Sequence, residues 1–402
     1  MKQADRQGNA VDGLNILRIL AFLCVFLLHT KLFLPMAWNE NVSWAWVLWT
    51  PAWGGVWIFM ILSGYGIGRG FYSGRYEVSA KGILRYWIKR IAKILPVYWF
   101  YIFSVALFMD PALLTPTKES IPQLCSLLFF NYRSDFDTDI FGVAWYLTTM
   151  MRLYILAPLV FLLLKRVKSR RMNMVLFLFL LLAGLAARTW MRSYILRTSG
   201  SWDFEVYVPF YFNLDLFFCG FLLGGLPYKE KNAFVISGRI FAFLLILGWI
   251  LVNSKIYYEG NYAANSFYMQ LYQYVFPTGY CIATAIYIYL FDICRTSRQS
   301  RFSMTKAGRA VAGIINRFPV IQLPFYLYHP VILQCMLYTY KDETYAGYAS
   351  FWHMPPEYTE FAKSCFFTFQ ALLLCLLWAI IVGTLLSNRP EQKSSRTLGD
   401  FL

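Results

Sequence analysis

The sequence is poor in charge, and especially poor in acidic charge. Only 14% of its 402 residues are charged, and Lys and Arg outnumber Asp and Glu by 37 to 21. A soluble domain of this length carries more charge and fewer long apolar runs. The scarcity of charge, together with 58% hydrophobic residues and a mean hydropathy of +0.47, excludes an ordinary soluble fold and indicates a polytopic membrane protein.

Metal-binding and disulfide patterns are also missing. Eight cysteines lie mostly inside apolar runs, without Cys-x-x-Cys or paired Cys/His spacing, so we predict neither a metal site nor a disulfide framework. The chain has only three histidines, His29, His329 and His353, and we expect His353 to be a surface residue of the last outer loop. No nucleic-acid-binding module accompanies the positive charge, so no nucleic-acid partner is expected.

Apolar segments long enough to cross a bilayer dominate the sequence. We predict an all-α polytopic membrane helix bundle of about ten transmembrane helices. It forms one membrane domain over residues 1–402 and ends in a short cytoplasmic tail, 387–402. The ten segments are 14–35, 53–70, 92–109, 142–164, 173–190, 208–226, 238–253, 270–292, 319–340 and 361–386. No internal repeat of the kind found in many transporters is evident.

The distribution of positive charge predicts the orientation of the bundle. With the N-terminus in the cytoplasm, 26 of the 37 Lys and Arg residues fall in inner segments and 8, including Arg188, in outer segments. Inner loops of membrane proteins carry the excess of Lys and Arg. Both termini are therefore expected in the cytoplasm.

Arg18 and His29 are ionisable residues inside the first apolar segment. Their separation of eleven residues is about three helical turns, or about 16 Å of rise, so both are expected on one helix face, with Asn15 beside Arg18. Ionisable residues within a membrane usually face a cavity or a partner. We therefore expect a polar stripe part-way through the bilayer. The alternative is that Arg18 reaches the inner headgroups and His29 the outer interface.

Other polar residues inside predicted spans are candidates to meet this stripe. Asp215 and Arg152 either face it or form an ion pair with each other. His329 precedes Pro330 in "YLYHP" and is either a second functional histidine or a kink residue bonded to the backbone.

Seven cations and a single acid, Glu77, occupy "RGFYSGRYEVSAKGILRYWIKRIAKILP", the loop between the second and third segments. This composition is typical of a cytoplasmic surface that contacts anionic lipid, or of a clamp for the phosphates of a ligand. The preceding "GGVWIFMILSGYGIGRG" is dense in small residues, which suit close helix packing or a cofactor lying against the backbone.

Three classes of function remain open on these features. The first is an enzyme that moves a group from a cytoplasmic anionic donor to an acceptor near the outer leaflet. The second is a transporter or flippase for a glycan or lipid-linked intermediate. The third is a lipid-embedded scaffold, which explains the charge asymmetry but not the buried Arg18 and His29.

The motifs together resemble those of the acyltransferase 3 family of integral membrane acyltransferases. Arg18 and His29 reproduce its Arg-x10-His pattern. "GVWIFMILSGYGIG" resembles its Phe-Phe-x-x-Ser-Gly-Phe segment, and "YWIKRIAKILPVYW" its Arg-Arg-x-x-Arg-Ile-x-Pro segment. "AWYLTTMMRLYILAPLV" and "FYLYHPVIL" are similar to its Trp-rich span and its late Tyr-Leu-x-His span. In this chain Lys93 stands where the basic triplet ends in arginine, and no glutamate follows the Trp motif.

The resemblance implies an O-acetyltransferase-like enzyme of a cell membrane, specifically a bacterial plasma membrane. Its donor is acyl-CoA, usually acetyl-CoA, with no metal. Its acceptor is a hydroxyl of an extracytoplasmic glycan or lipid-linked sugar, as in O-acetylation of cell-envelope polysaccharide. His29 is implied as the general base, with Arg18 binding the donor or ordering its passage along the stripe. Direct transfer is expected; the alternative is a covalent acyl-histidine, or an acyl-serine at Ser63.

The resemblance and the buried polar residues together give the remaining site candidates. The expected donor-binding residues are Arg69, Arg85, Lys89, Arg90, Lys93 and Ser63. The expected substrate-binding residues are Trp145, Arg152, Asp215, Tyr326 and His329.

The predicted orientation is testable by labelling in intact cells. Cysteines introduced at Phe136 and Tyr258 should react with a membrane-impermeant maleimide, and one at Ser297 should react only after permeabilisation. The unsubstituted chain, with its eight native cysteines, sets the background. Reaction at Ser297 in intact cells contradicts the orientation.

Overall fold

Helices make up nearly all of the chain that the computed structural model describes. The described residues are 11–30, 45–48, 52–132, 141–166, 169–198, 200–230, 235–262, 267, 270–295, 305–339 and 356–387. In chain order the α-helices are α1 (Gly13–Thr30), α2 (Ala52–Tyr72), α3 (Ala80–Met109), α4 (Ser120–Leu128), α5 (Ala144–Leu164), α6 (Arg170–Thr198), α7 (Leu214–Gly224), α8 (Val235–Tyr262), α9 (Phe276–Ile288), α10 (Lys306–Thr339) and α11 (Pro356–Ser387).

Shorter elements join these helices. The 3₁₀ segments are Ala45–Leu48, Pro111–Leu114 and Phe210–Asn213, and the π-helical segments are Asp203–Tyr207, Leu271–Val275 and Tyr289–Ile293. Two strands of two residues each, β1 (Lys229–Glu230) and β2 (Cys294–Arg295), pair in parallel, with Lys229 opposite Cys294.

The predicted all-α membrane bundle is confirmed. Each of the ten apolar segments has a helical counterpart among the described residues. Within those residues, eight helices are long and apolar enough to cross a membrane. The other two counterparts are α2, which is rich in glycine and tyrosine, and the shorter apolar segment Phe210–Gly224.

Helix boundaries differ from the predictions in two places. The basic loop is mostly helix, because α3 already begins at Ala80, where the Ser79 hydroxyl accepts a 3.0 Å hydrogen bond from the Gly82 amide and so caps the helix. Tyr258, expected in an outer loop, lies near the end of α8. Other expectations lie outside the described residues: those at 31–35, Phe136, Ser297, His353 and 388–402.

Helix α2 lies at the centre of the bundle and packs against α1, α5, α7 and α9. From Gly54 to Gly68 every residue of α2 is buried except Ser63, which is partly exposed. In contrast, α6, α8 and α11 expose many large apolar side chains, as expected of helices that face lipid. Ser63 is therefore the partly exposed position within an otherwise buried stretch of α2.

Glycines allow α2 and α7 to approach at backbone contact. Gly64 and Gly68 of α2 face Gly220 and Gly224 of α7, both pairs in Gly-x-x-x-Gly spacing. A Cβ atom at Gly64 would lie 1.9 Å from the carbonyl oxygen of Phe217. Because that neighbour is backbone, it cannot move aside cheaply. The small residues of α2 therefore serve helix packing here.

Gly68→Ala should destabilise the protein by about 1–3 kcal/mol, the usual cost of overpacking. The added Cβ would lie 2.1 Å from the Phe221 carbonyl oxygen. Gly248→Ala and Gly313→Ala are matched controls, because a Cβ at either position meets nothing within 4 Å. Thermal unfolding in detergent measures the difference. A Gly68→Ala protein as stable as the two controls contradicts this packing.

Candidate active site

The two histidines that the structure describes meet between α1 and α10. The ring centroids of His29 and His329 are 4.8 Å apart, with an interplanar angle of 67°. His329 is buried, with 1% of its surface exposed, whereas His29 is partly exposed. The fold thus brings these two predicted site residues together across 300 residues of sequence.

A backbone hydrogen bond selects the tautomer of His329. Its Nδ1 atom lies 2.8 Å from the carbonyl oxygen of Tyr326, and because a carbonyl only accepts, Nδ1 carries the hydrogen. In the neutral ring Nε2 then holds the lone pair. Nε2 is buried and has no hydrogen-bond partner among the described residues. His329 is thus both the backbone-bonded histidine and a member of the histidine pair.

Aromatic side chains interrupt the polar stripe expected between Arg18 and His29. Phe22 and Phe26 lie on the same face of α1, at i+4 and i+8 from Arg18. The ring centroid of Phe22 lies 3.9 Å from that of Phe325 on α10, and the ring centroid of Phe26 lies 5.6 Å from it. The polar stripe expected part-way through the bilayer is therefore interrupted, because phenylalanine side chains occupy two turns of this face between Arg18 and His29.

Arg18 lies on the N-terminal side of Phe22 and Phe26, in a cluster of charged residues. Its Nη1 donates to the Asn15 side chain, and its guanidinium interacts electrostatically with Asp12 and Asp292. The hydroxyl of Tyr65 donates to Asp292 in turn. Desolvation raises the pKa of the Asp12 carboxyl above its ordinary value, against the opposing effect of Arg18. Arg18 thus interacts with Asn15 and with two protein carboxylates, and it lies about three helical turns from His29.

Side-chain hydrogen bonds and ring contacts connect Ser63 to the histidine pair. Ser63 interacts through side-chain hydrogen bonds with Tyr146 and Tyr154 of α5, and all three residues are partly exposed inside the bundle. The Tyr146 ring lies 5.3 Å from that of Tyr326, which is 6.0 Å from the His329 ring. We call Tyr154, Ser63, Tyr146 and Tyr326 the tyrosine path.

Arg90 stands at the far end of this path. It is buried, with 7% of its surface exposed. Its guanidinium carbon lies 5.6 Å from the ring centre of Tyr76 and 5.7 Å from those of Tyr86 and Tyr154, and it donates to the Tyr76 hydroxyl. An arginine held by aromatic faces keeps its planar fork and its charge. Tyr154 joins this cage to the tyrosine path.

The other cations of the basic segment do not join Arg90. Arg85, Lys89 and Lys93 lie on the exposed side of α3. Arg69 caps the end of α7, because its Nη1 donates to the carbonyl oxygens of Gly224 and Leu226 at 3.2 and 2.7 Å. Of the cations expected to bind phosphate, Arg90 is buried and Arg69 caps α7. Arg85, Lys89 and Lys93 lie at the surface.

Asp215 forms a buried ion pair, but with a different arginine from the one expected. Nη1 and Nη2 of Arg188 lie 3.0 and 2.8 Å from its carboxylate oxygens. Arg188 also donates to the Phe212 carbonyl oxygen and to the Thr278 hydroxyl, each at 3.2 Å. Arg152 instead donates to the Asn131 side chain at 3.0 Å. Of the two alternatives for these residues, the Arg152–Asp215 ion pair is therefore wrong, because each residue has another partner.

Arg188 is a functional candidate that the charge pattern places among the outer cations, at the end of the predicted segment 173–190. Helix α6 continues to Thr198, so Arg188 lies within it and is 2% exposed. A bidentate guanidinium–carboxylate pair shielded from water is costly to build unless both ions are fully bonded. The signal in the sequence was an arginine two residues before a tryptophan, at the end of a long apolar run.

Trp145 connects the tyrosine path to an aromatic cluster at the face where α1 ends. Its ring lies 6.1 Å from the Tyr146 ring and 4.6 Å from the Tyr207 ring. The Tyr326 hydroxyl donates to the Val143 carbonyl oxygen at 3.1 Å, which holds α10 against the start of α5. The members of this outer aromatic cluster are Trp53, Trp57, Trp202, Tyr207 and Tyr257.

The acyltransferase domain of the acyltransferase 3 family matches residues 11–389. The chain therefore belongs to this family, as the motifs indicated, and is a multi-pass membrane acyltransferase acting on groups other than aminoacyl groups. This membership sets the transporter and scaffold alternatives aside. No curated protein and no solved structure shows significant similarity to the chain.

Proposed function

We propose that the protein transfers an acetyl group from acetyl-CoA in the cytoplasm to a hydroxyl of an extracytoplasmic glycan or lipid-linked sugar. The supporting observation is the histidine pair at the end of the tyrosine path. A buried proton acceptor beside a partly exposed histidine suits proton abstraction from a hydroxyl. The corresponding biological role is O-acetylation of cell-envelope polysaccharide in a bacterial plasma membrane.

The charge distribution supports the direction of transfer. The face where α1 begins carries the exposed cations Arg75, Arg85 and Lys89, and positive charge marks the cytoplasmic side. Arg90 then lies toward the cytoplasm, and the histidine pair lies toward the opposite face. A donor entering from the cytoplasm reaches the histidines by crossing the length of the tyrosine path.

The route of the donor follows the tyrosine path and not the α1 stripe. Phe22 and Phe26 close the stripe, whereas Ser63, Tyr146 and Tyr154 are partly exposed within the bundle. The thin amide-containing arm of coenzyme A can exchange hydrogen bonds with hydroxyl groups along such a path. Arg90 and the surface cations of α3 would then bind the phosphates at its entrance.

His29 accepts the proton of the acceptor hydroxyl in this mechanism. The hydroxyl oxygen forms a bond to the thioester carbonyl carbon, and the carbon–sulfur bond breaks with its electron pair on sulfur. The thiolate then receives the proton that the histidine releases, so that ester and free thiol are formed without an acyl-enzyme. His329, with its hydrogen on Nδ1, holds a second proton acceptor beside His29.

His29→Gln should lower acetyl transfer by about 10²–10⁴-fold, the range for losing a positioned base. Glutamine keeps much of the shape and hydrogen bonding but takes up no proton at neutral pH. Transfer from radiolabelled acetyl-CoA to isolated cell-envelope glycan, in proteoliposomes and per folded protein, is the measurement.

His329→Gln is the matched variant for this experiment. If His29 is the base and His329 orients it, His329→Gln should lose less activity than His29→Gln. Near wild-type transfer by His29→Gln removes His29 as the base. A larger loss in His329→Gln assigns that role to the buried ring.

Ser63→Leu should raise the KM for acetyl-CoA and lower kcat/KM by about 10- to 100-fold, because a leucine there obstructs the proposed route and displaces the donor. Ser63→Ala is the control, since it removes the hydroxyl but leaves the space, and should cost much less. Both are compared in donor titrations at fixed acceptor. Unchanged kcat/KM for acetyl-CoA in a folded Ser63→Leu protein shows that the donor takes another route.

A further inference from the structure

An apolar groove of about 390 Å³ lies between α10 and α11. Its lining on α10 is Ile332, Cys335 and Met336, and its lining on α11 is Leu374, Leu377, Trp378 and Ile381. Leu377 exposes 57% of its surface and Ile381 exposes 41%, so the groove is open at the perimeter of the bundle. Both helices are long and apolar enough to cross a membrane, and this perimeter is therefore a surface that meets lipid.

The groove lies at the depth of the histidine pair. The ring centroid of Trp378 is 5.5 Å from that of Tyr328, and Tyr328 immediately precedes His329. Ile332 follows His329 by three residues, so it lies about one turn further along α10 and near the same face. Met336 follows by seven residues, which is two turns or about 10 Å of rise. The groove thus runs alongside the turns of α10 that carry the buried histidine.

The direction of α10 shows which way the groove extends. The ring of Phe22 packs against that of Phe325, and further along both helices His29 meets His329. The two helices therefore run in the same direction. Met336 lies beyond His329 on α10, so the groove continues past the histidine pair toward the face where α1 ends. A chain in the groove with its head group at that face passes the depth of the histidines.

The groove and the tyrosine path flank His329 on two different sides. Tyr326, a member of that path, precedes His329 by three residues, and Ile332 follows it by three. At about 100° per residue, these two side chains lie about 60° to either side of His329 around the helix axis. Tyr326 bonds to the start of α5 through the Val143 carbonyl oxygen, whereas Ile332 faces α11 across the groove. A molecule in the groove and one in the tyrosine path therefore occupy different space.

The lining of the groove specifies a hydrocarbon. None of the side chains in this lining carries a charge. Apolar cavities stay dry, and one of about 150 Å³ holds benzene, so a groove of about 390 Å³ suits a segment of hydrocarbon chain. Lipid tails are as apolar as leucine, so a chain gains little hydrophobic free energy on leaving the bilayer for the groove. The fit to the groove and the group that the chain carries then decide which lipid is held.

The position of the histidine pair favours one lipid over the others. A chain held beside α10 keeps its head group near the partly exposed His29, at a higher effective concentration than a free glycan reaches. We infer that the groove holds the hydrocarbon chain of a lipid-linked sugar, and that this molecule, and not a free glycan, is the acceptor. This inference rests on the proposed function and chooses between its two acceptors.

Photo-crosslinking of the full chain in phosphatidylcholine nanodiscs, without acetyl-CoA, tests the groove. The probe is a polyprenyl-phosphate-linked N-acetylglucosamine with a diazirine in its chain, and labelled peptides are identified by mass spectrometry. The label should lie on the groove segments of α10 and α11. An excess of unlabelled polyprenyl-phosphate-linked N-acetylglucosamine should remove it, whereas the same excess of phosphatidylglycerol should not.

Leu377→Trp fills the groove and should lower this labelling about three- to tenfold, which corresponds to about 1 kcal/mol of affinity. Leu373→Trp is the matched control, because Leu373 lies on the same helix and is 49% exposed but is outside the groove lining; it should label like the wild type. Cys335→Phe fills the groove from α10 and should also lower the labelling, which keeps the test decisive if Leu377→Trp fails to fold.

Three outcomes overturn the inference. Removal of the label by phosphatidylglycerol shows that the groove holds bulk lipid. Labelling away from the groove segments, or crosslinks there between two copies of the chain in place of the probe, show a different occupant. Undiminished labelling of a folded Leu377→Trp or Cys335→Phe protein shows that the chain binds elsewhere.

Acetyl transfer separates the inference from the proposed function. The acceptors compared are the same polyprenyl-linked sugar, without the diazirine, and methyl N-acetylglucosaminide, which has no chain. Specific labelling of the groove without transfer to either acceptor contradicts the proposed function and leaves the chain site standing. Equal transfer to both acceptors without labelling of the groove contradicts the chain site and leaves the proposed function standing.

Discussion

The contact between α2 and α7 at glycine is the constraint on which the rest of the bundle depends. Gly64 and Gly68 place the α2 backbone against α7, so that α2 is enclosed on almost every side. Within this enclosed helix, Ser63 is partly exposed although its neighbours from Gly54 to Gly68 are buried. The same contact fixes α7, whose first turn carries Asp215, and Arg69 of α2 in turn caps the last carbonyls of α7.

The face of α1 separates two polar regions with different chemistry. Arg18 is balanced by Asp12 and Asp292, and His29 is paired with His329, while the phenylalanines between them pack on Phe325. These phenylalanines separate the two polar regions along this face, and the tyrosine path is the connection that we propose for the donor.

Hydropathy and the family motifs were sufficient to predict the all-helical membrane bundle, because burial in lipid requires long apolar helices. They also identified His29 and His329, since few ionisable residues lie in apolar runs. The partners of the buried charged residues were not predictable. Arg188 stands at the end of the predicted segment 173–190 and counts as an outer charge, because hydropathy locates helix ends only within several residues. The pairing of Asp215 depends on how α6 and α7 pack. Helical spacing placed Arg18 and His29 on one face correctly, but it carries no information on whether Phe22 and Phe26 meet lipid or a neighbouring ring.

The order of residues around His329 has one further consequence. Proline has no backbone N–H, so Pro330 cannot donate to the carbonyl four residues earlier in α10, which is that of Tyr326. This is the carbonyl oxygen that His329 Nδ1 approaches to 2.8 Å. The proline thus frees the acceptor that the preceding histidine uses, and the dipeptide works as a built-in tautomer selector. A break in the helical ladder, which in most helices is a structural defect, is here converted into control over which ring nitrogen carries the hydrogen.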